Sequence, residues 1–216
     1  SMKYRGIIFD LDGVICSTDE YHYRAWKALA DREKIYFDRE INNRLRGVSR
    51  MASLEIILER AARRYTQQEK EKMAADKNEL YRLLLQNMTP ADVAPETRET
   101  LDALRGRGVL LAIGSSSKNA RLILSRIGLE NAFDAISDGN NITRSKPDPE
   151  VFLKAAQMLG LQPAECIVVE DAQAGIEAAY RGGFHGAAIG DAVKSPLAQY
   201  RITELSELLE VVSGEA

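Results

Sequence analysis

Asp10 and Asp12 stand two positions apart in Phe9-Asp10-Leu11-Asp12-Gly13, directly after the apolar run Gly6-Ile7-Ile8-Phe9. Glu170 and Asp171 close a second apolar run, Ile167-Val168-Val169. Between the two acidic pairs lie Ser115, Ser116 and Ser117, then Lys118 and Asn119, and further on Lys146 in a stretch where Pro147 and Pro149 restrict the backbone. Four acids drawn to one crevice repel one another unless positive charge sits among them. Magnesium suits such donors: it takes carboxylate oxygens, keeps several waters and commonly bridges protein to phosphate. Hydroxyls and main-chain N–H groups at a helix start form an anion cradle, and Lys146 adds a fixed cation. Each motif alone also reads as an acidic turn or a solvated loop. Together they predict a magnesium and phosphoryl site.

Two carboxylates then divide the chemistry. Phosphoryl transfer needs little nucleophilic push once charge on phosphorus is neutralised and the groups are aligned. Asp10 is the expected nucleophile, becoming an aspartyl-phosphate. Asp12 is the expected acid/base, exchanging a proton with the attacking or leaving oxygen. A strand running through both residues would point them the same way, with Leu11 opposite and Gly13 easing the turn.

The elements that must position these groups are legible in outline. The apolar run before Asp10 reads as a strand. Residues 16–88 carry helical periodicity with scarcely a strand signal, and Thr66 with Glu69 forms a capping-box pattern. From residue 89 onward apolar runs alternate with helical segments, ending in an apolar strand at 185–190 and a helix from about Thr203 to Val212. Runs that are apolar on both faces imply a mostly parallel sheet covered by helices. The expected architecture is an α/β core interrupted by an inserted helical cap: residues 1–15 give the first strand, 16–88 the cap and 89–216 the remainder. One continuous α/β domain with extra helices is the alternative.

Composition narrows the function classes. The chain has 216 residues, 32 acidic against 29 basic side chains and a formal charge of -3, which argues against broad binding to nucleic acid or anionic membrane. No run approaches the roughly 18 apolar residues of a membrane span. The first residues lack a signal-peptide layout, so the cytoplasm is the expected compartment. Cys16 and Cys166 lack metal-site spacing and are expected as free thiols.

The motifs Asp-Leu-Asp-Gly-Val (10–14), Gly-Ser-Ser-Ser-Lys-Asn (114–119), Ser-Lys-Pro-Asp-Pro (145–149) and Val-Val-Glu-Asp-Ala-Gln-Ala-Gly (168–175) resemble, in order, the four motifs of the haloacid dehalogenase superfamily. The resemblance implies a Rossmann-like core. It also implies magnesium held by Asp10, by the main-chain carbonyl of Asp12 and by Asp171, with Glu170 as a direct or water-linked ligand. A narrower likeness, carried by residues 17–30, 45–50 and the later motifs, is to the branch of sugar phosphomutases acting on β-glucose phosphates. That likeness implies interconversion of β-glucose 1-phosphate and β-glucose 6-phosphate, with glucose 1,6-bisphosphate as intermediate or activator. Thr18 would lie at the cap hinge, and His22 would gate Asp12. Gly47 and Arg50 would face the cleft, and Lys77 would serve its sugar side. Arg50, Ser117 and Asn119 would hold the phosphate not being transferred, while Ser115, the Ser116 backbone and Lys146 surround the one that is. A monomer acting on a small sugar phosphate suffices. A magnesium-dependent sugar-phosphate phosphatase of the same superfamily is the alternative. Arg46 departs from a common lysine, Met51 and Ala52 from polar or acidic residues, and Ser116 from an alanine.

Overall fold

In a computed structural model of the chain, residues 2–46 and 48–216 are described. Two compact units emerge: Thr18–Asn87, and Ser1–Ser17 joined with Met88–Ala216.

The first unit is helical: α1 (Asp19–Arg32), α2 (Arg39–Asn43), α3 (Arg50–Leu58) and α4 (Gln67–Leu85). Helix α1 buries Ala25, Trp26, Leu29 and Ala30, the three-to-four spacing of one helical face. Thr66 and Glu69 form the reciprocal capping box at the start of α4. The buried face of α4 recurs every fourth residue, at Met73, Lys77, Tyr81 and Leu85. Trp26, Leu29, Phe37, Ile41, Leu54, Ile57 and Met73 make this unit's core, and Met51 packs against it. That packing accounts for the apolar residue at position 51.

The second unit is α/β and Rossmann-like. Its strands are β1 (Gly6–Phe9), β2 (Leu110–Gly114), β3 (Ala135–Ser137), β4 (Cys166–Glu170), β5 (His185–Ala188) and β6 (Tyr200–Arg201). They form one sheet in the order β3-β2-β1-β4-β5-β6, every pair parallel. Its helices are α5 (Pro95–Gly106), α6 (Ala120–Arg126), α7 (Glu150–Leu159), α8 (Gln173–Arg181) and α9 (Leu208–Ser213). Strands β1 and β4 are buried along their whole length, as a sheet covered on both faces requires. Ile8, Ala112 and Val168 pack with Phe152, Ala155 and Ala156 of α7 and with Ala178 and Ala179 of α8.

Strand order reverses beside β1. The chain builds outward through β2 and β3, then returns to the other side of β1 with β4. Crevices outside the carboxyl ends of strands at such a reversal are where open α/β sheets bind ligands.

Two details differ from the sequence reading. A sixth strand follows β5, and the last helix starts only at Leu208, after a 3-10 turn at Leu205–Glu207. Two residues are too few to show a period, and β6 is held instead by Arg201, which donates to the carbonyls of Val193 and Ser195 at 2.9 and 2.6 Å. Cys16 and Cys166 are free and buried. No helix among the described residues is long and apolar enough to cross a membrane.

Candidate active site

Strand β1 stops at Phe9, so the pleat does not run on to Asp12. Asp10 extends the ladder by one bond, its N–H donating to the Val169 carbonyl at 3.0 Å. A tight turn follows, in which the carbonyl of fully buried Leu11 accepts from the N–H groups of Val14, Ile15 and Cys16. The turn, rather than strand alternation, therefore presents Asp12. Gly13 sits in it at φ +84°, and a Cβ there would lie 1.9 Å from Asp171 Oδ2. Glycine serves both the backbone and the close approach of that carboxylate.

Glu170 ends β4 with no exposed surface. Its Oε1 accepts from the N–H groups of Asp171 and Ala172 at 3.0 and 3.2 Å, and its Oε2 accepts from Lys146 at 2.6 Å. Gly175 makes the room: a Cβ there would fall 2.0 Å from the Glu170 carboxyl carbon. The Lys146 ammonium also lies 3.2 Å from Asp10 Oδ1, donates to the Gly114 carbonyl at 3.2 Å, and stands 4.9 Å from the Phe152 ring centre. The Lys146 and Glu170 side chains are only 12% and 0% exposed, a buried ion pair whose remaining hydrogen-bonding capacity is met by neighbours.

Negative charge still exceeds positive here. Asp10, Glu170 and Asp171 bring one carboxylate oxygen each to within 4.8 Å of one another. Burial, then Asp10, push Asp171 up to about 7. Glu170 is raised in the same direction by the same two causes. Burial opposes the charge on Lys146, but Asp10 and Glu170 outweigh it and hold the ammonium protonated. Shared protons or a cation must relieve such a cluster. All its free donors are hard carboxylate oxygens, which fits magnesium. Asp10 and Asp171 are the better placed of the three, since hydrogen bonds already engage both oxygens of Glu170.

Beyond β2, Ser115 is buried and its N–H donates to the Ser137 carbonyl at 3.0 Å. Ser115 Oγ accepts from the Ser117 N–H at 3.1 Å, and Ser117 Oγ from the Asn119 N–H at 3.0 Å. The sequence suggested a cradle of free main-chain N–H groups; two of them are instead engaged within the loop. What Ser115 and Ser117 offer a ligand is the hydroxyl proton that each retains. Asn119 is buried and Ser116 exposed.

The helical unit holds the other singled-out residues. Thr18 is buried, and its carbonyl accepts from the N–H groups of Tyr21 and His22 at 3.1 Å, opening α1. Lys77 is buried, 4% exposed, with its Nζ 2.8 Å from His22 Nδ1. Ring faces of Trp26 and Tyr81 lie 4.7 and 4.6 Å from that ammonium, and His22 stacks on Tyr81 at 3.9 Å. Burial, then Lys77 and Arg50, push His22 down to about 3. Burial, then Arg50, push Lys77 down to about 7. His22 is therefore a neutral acceptor at ordinary pH. Arg50 begins α3, whose cap Ser49 accepts from the Ala52 N–H. Arg46 pairs with Asp19 at 3.1 Å, and Gly47 lies outside the described residues.

Sequence reasoning did not single out Gly175, or the aromatic box of Trp26 and Tyr81 around Lys77. The i, i+4 stripe of α4 was the available signal for that box.

A parallel sheet with an aspartate turn, a lysine and an acidic pair gathered at its switch point defines a class. The chain belongs to the haloacid dehalogenase-like hydrolase family, whose model matches residues 4–183, and it is an enzyme. Among individual relatives, it is 40% identical over 214 residues to the β-phosphoglucomutase of Bacillus subtilis, covering 98% of this chain and 95% of that one. It is 31% identical over 183 residues to a fructose-1-phosphate phosphatase of Escherichia coli, covering 84% of this chain and 94% of the relative. The crystal structure of a β-phosphoglucomutase from Clostridium difficile superposes with a TM-score of 0.85 at 34% identity, over 98% of this chain and 96% of that one.

Proposed function

We propose that the chain interconverts β-glucose 1-phosphate and β-glucose 6-phosphate by way of an aspartyl-phosphate at Asp10 and a glucose 1,6-bisphosphate intermediate. The observation that carries the reading is Asp10 Oδ1, 3.2 Å from the Lys146 ammonium at the carboxyl end of β1, with Glu170 and Asp171 beside it. A carboxylate so placed meets phosphorus with a cation alongside, the condition for transfer without a strong nucleophile.

In the first half-reaction the phosphoryl group on Asp10 passes to the C6 hydroxyl of the sugar. The Asp10–phosphorus bond breaks, and Asp12 takes the hydroxyl proton. In the second, Asp10 attacks the C1 phosphate of the bisphosphate and Asp12 returns the proton to the departing oxygen. Lys146 and the hydroxyls of Ser115 and Ser117 are donors toward phosphate oxygens, joined by the Ser116 backbone. Asp10, the Asp12 carbonyl and Asp171 would hold magnesium, with Glu170 direct or through water; when bound it supplies charge neutralisation at the phosphate. Arg50, Ser117 and Asn119 are assigned to the phosphate at rest, Lys77 to the sugar side of the cleft that Gly47 and Arg50 face, Thr18 to the cap hinge and His22 to gating of Asp12.

The test is a product assay on the pure β anomer, following glucose 6-phosphate and inorganic phosphate together. Isomerisation that outruns hydrolysis and is stimulated by glucose 1,6-bisphosphate supports the mutase. A second reading, a sugar-phosphate phosphatase, is favoured by the similarity to the fructose-1-phosphate phosphatase. Rapid phosphate release that needs no bisphosphate would establish it instead.

A further inference from the structure

Lys146 reaches Asp10, Glu170 and the Gly114 carbonyl from an irregular segment between β3 and α7, and its neighbours Thr143, Arg144 and Ser145 are all exposed. An ammonium aimed at three groups from a surface loop needs something to hold the loop. Glu150, the first residue of α7, turns its carboxylate back on the chain. Oε1 accepts from the Thr143 N–H at 2.8 Å, while Oε2 accepts from the Arg144 N–H and the Thr143 hydroxyl, each at 3.2 Å. Within the turn, Asp148 Oδ1 accepts from the Glu150 N–H at 2.9 Å and the Asp148 N–H donates to the Ser145 carbonyl at 3.0 Å. The chain thus enters and leaves the Lys146 turn at one carboxylate.

We propose that Glu150 is a positioning residue for Lys146: its carboxylate clasps residues 143 and 144 to the start of α7 and so fixes where the ammonium lies. The inference rests on the reading above for what Lys146 does, though not for where it sits. Helix α7 is a firm base for the clasp, because Val151, Phe152, Ala155 and Ala156 are buried and Phe152 itself lines the ammonium. The Thr143 N–H also holds the Glu150 carboxyl below its ordinary range, so the clasp is charged at neutral pH. A plainer role, an acid at a helix start paired with Lys154 at 3.5 Å, would leave Lys146 unaffected by its loss.

The experiment uses Glu150→Ala, Glu150→Gln and, as control, Gln157→Ala on the exposed side of α7. Two readouts are followed: kcat, and the 15N signal of the Lys146 ammonium. The wild-type ammonium, on a side chain 12% exposed and held by Glu170, Asp10 and the Gly114 carbonyl, is expected to exchange slowly with water. Glu150→Ala is expected to lower kcat roughly 10- to 100-fold, the scale of a misplacement of about 1 Å, and to broaden or remove the ammonium signal. Glu150→Gln keeps an acceptor and recovers part of both, while Gln157→Ala changes neither. Should Glu150→Ala fail to fold, Glu150→Gln against wild type carries the comparison, with an intermediate loss expected. A wild-type ammonium signal and wild-type kcat in the Glu150 variants overturn the proposal. Failure of the functional reading shows separately: Lys146→Ala with undiminished turnover removes the phosphoryl role of Lys146 while leaving the spectroscopic result intact.

Discussion

The Lys146 ammonium and the Glu170 carboxylate stand 2.6 Å apart, and both are withdrawn from solvent. Truncating one partner of such a pair strands a buried charge at a cost of about 3–5 kcal/mol, whereas replacing both with neutral groups is often close to neutral. Lys146→Met is expected to destabilise the chain by that amount, and Lys146→Met with Glu170→Gln to recover most of the loss. Urea unfolding of the three proteins checks it. Equal stability of the single and double variants would show that the pair is not coupled.

Asp10 and Asp12 separate under trapping. Asp10→Asn is expected to leave the fold intact and to abolish both turnover and the acid-stable labelling of position 10 by a phosphoryl donor. Asp12→Ala is expected to keep labelling from an activated donor, which needs no proton at its leaving oxygen, while transfer to a sugar hydroxyl falls about 10²- to 10⁴-fold. Labelling that survives in Asp10→Asn would reassign the nucleophile.

Asp171 makes metal-free stability depend on pH in a definite direction. Its folded carboxyl holds a proton up to about 7, against 3.8 in the ordinary carboxyl. Between those values the folded state binds more protons than the unfolded one, so this contribution to stability falls as pH rises through the window. Magnesium held at that carboxylate would take only its ionised form and would offset the loss. The expected result is a melting-temperature advantage of Asp171→Asn over wild type that grows toward neutral pH without magnesium and shrinks when magnesium is added. A pH-independent difference between the two proteins would contradict the raised titration.

Lys77 and His22 act in the opposite direction. Lys77 titrates at about 7 in the folded chain against 10.5 ordinarily. The unfolded state therefore holds the extra proton between those values, and stability rises with pH across them. Lys77→Met is expected to flatten that rise. His22, pushed down to about 3, keeps a neutral ring through mildly acidic pH. Imidazole 15N shifts that move near pH 6.5, the unperturbed range, would show that the ring is charged instead.

The strands around the site were legible because residues 6–9, 110–114 and 166–169 are apolar on both faces, as the strands of a covered parallel sheet are. The chemistry at their ends was legible as a set of groups, not as an arrangement. Asp12 is a case in point: period-two reasoning fails because the strand ends at Phe9 and a turn takes over. The free N–H groups expected in the serine loop are partly consumed by Ser115 and Ser117, a local competition that residue types alone do not reveal. Lys77 shows two signals in conflict. Its charge argues for solvent, its place in the Met73, Tyr81, Leu85 stripe argues for burial, and the aromatic rings around the ammonium let the stripe win. Glu150 looked like any acid at a helix start. Only the return of residues 143 and 144 to its carboxylate distinguishes it.

Strand β1 is central in the sheet and first in the chain, and this orders the events of synthesis. Gly6 pairs with Leu110 on one side and with Cys166 on the other. At about 5–20 residues per second, the ribosome delivers that second partner roughly 10–30 s after β1 itself. The helices of residues 18–87 are contiguous and have their partners at hand well before then. A nascent chain would carry Asp10 on an apolar strand without a partner until β2 is made, about halfway along the 216 residues, and Asp10 would meet Lys146 only when about two-thirds of the chain exists.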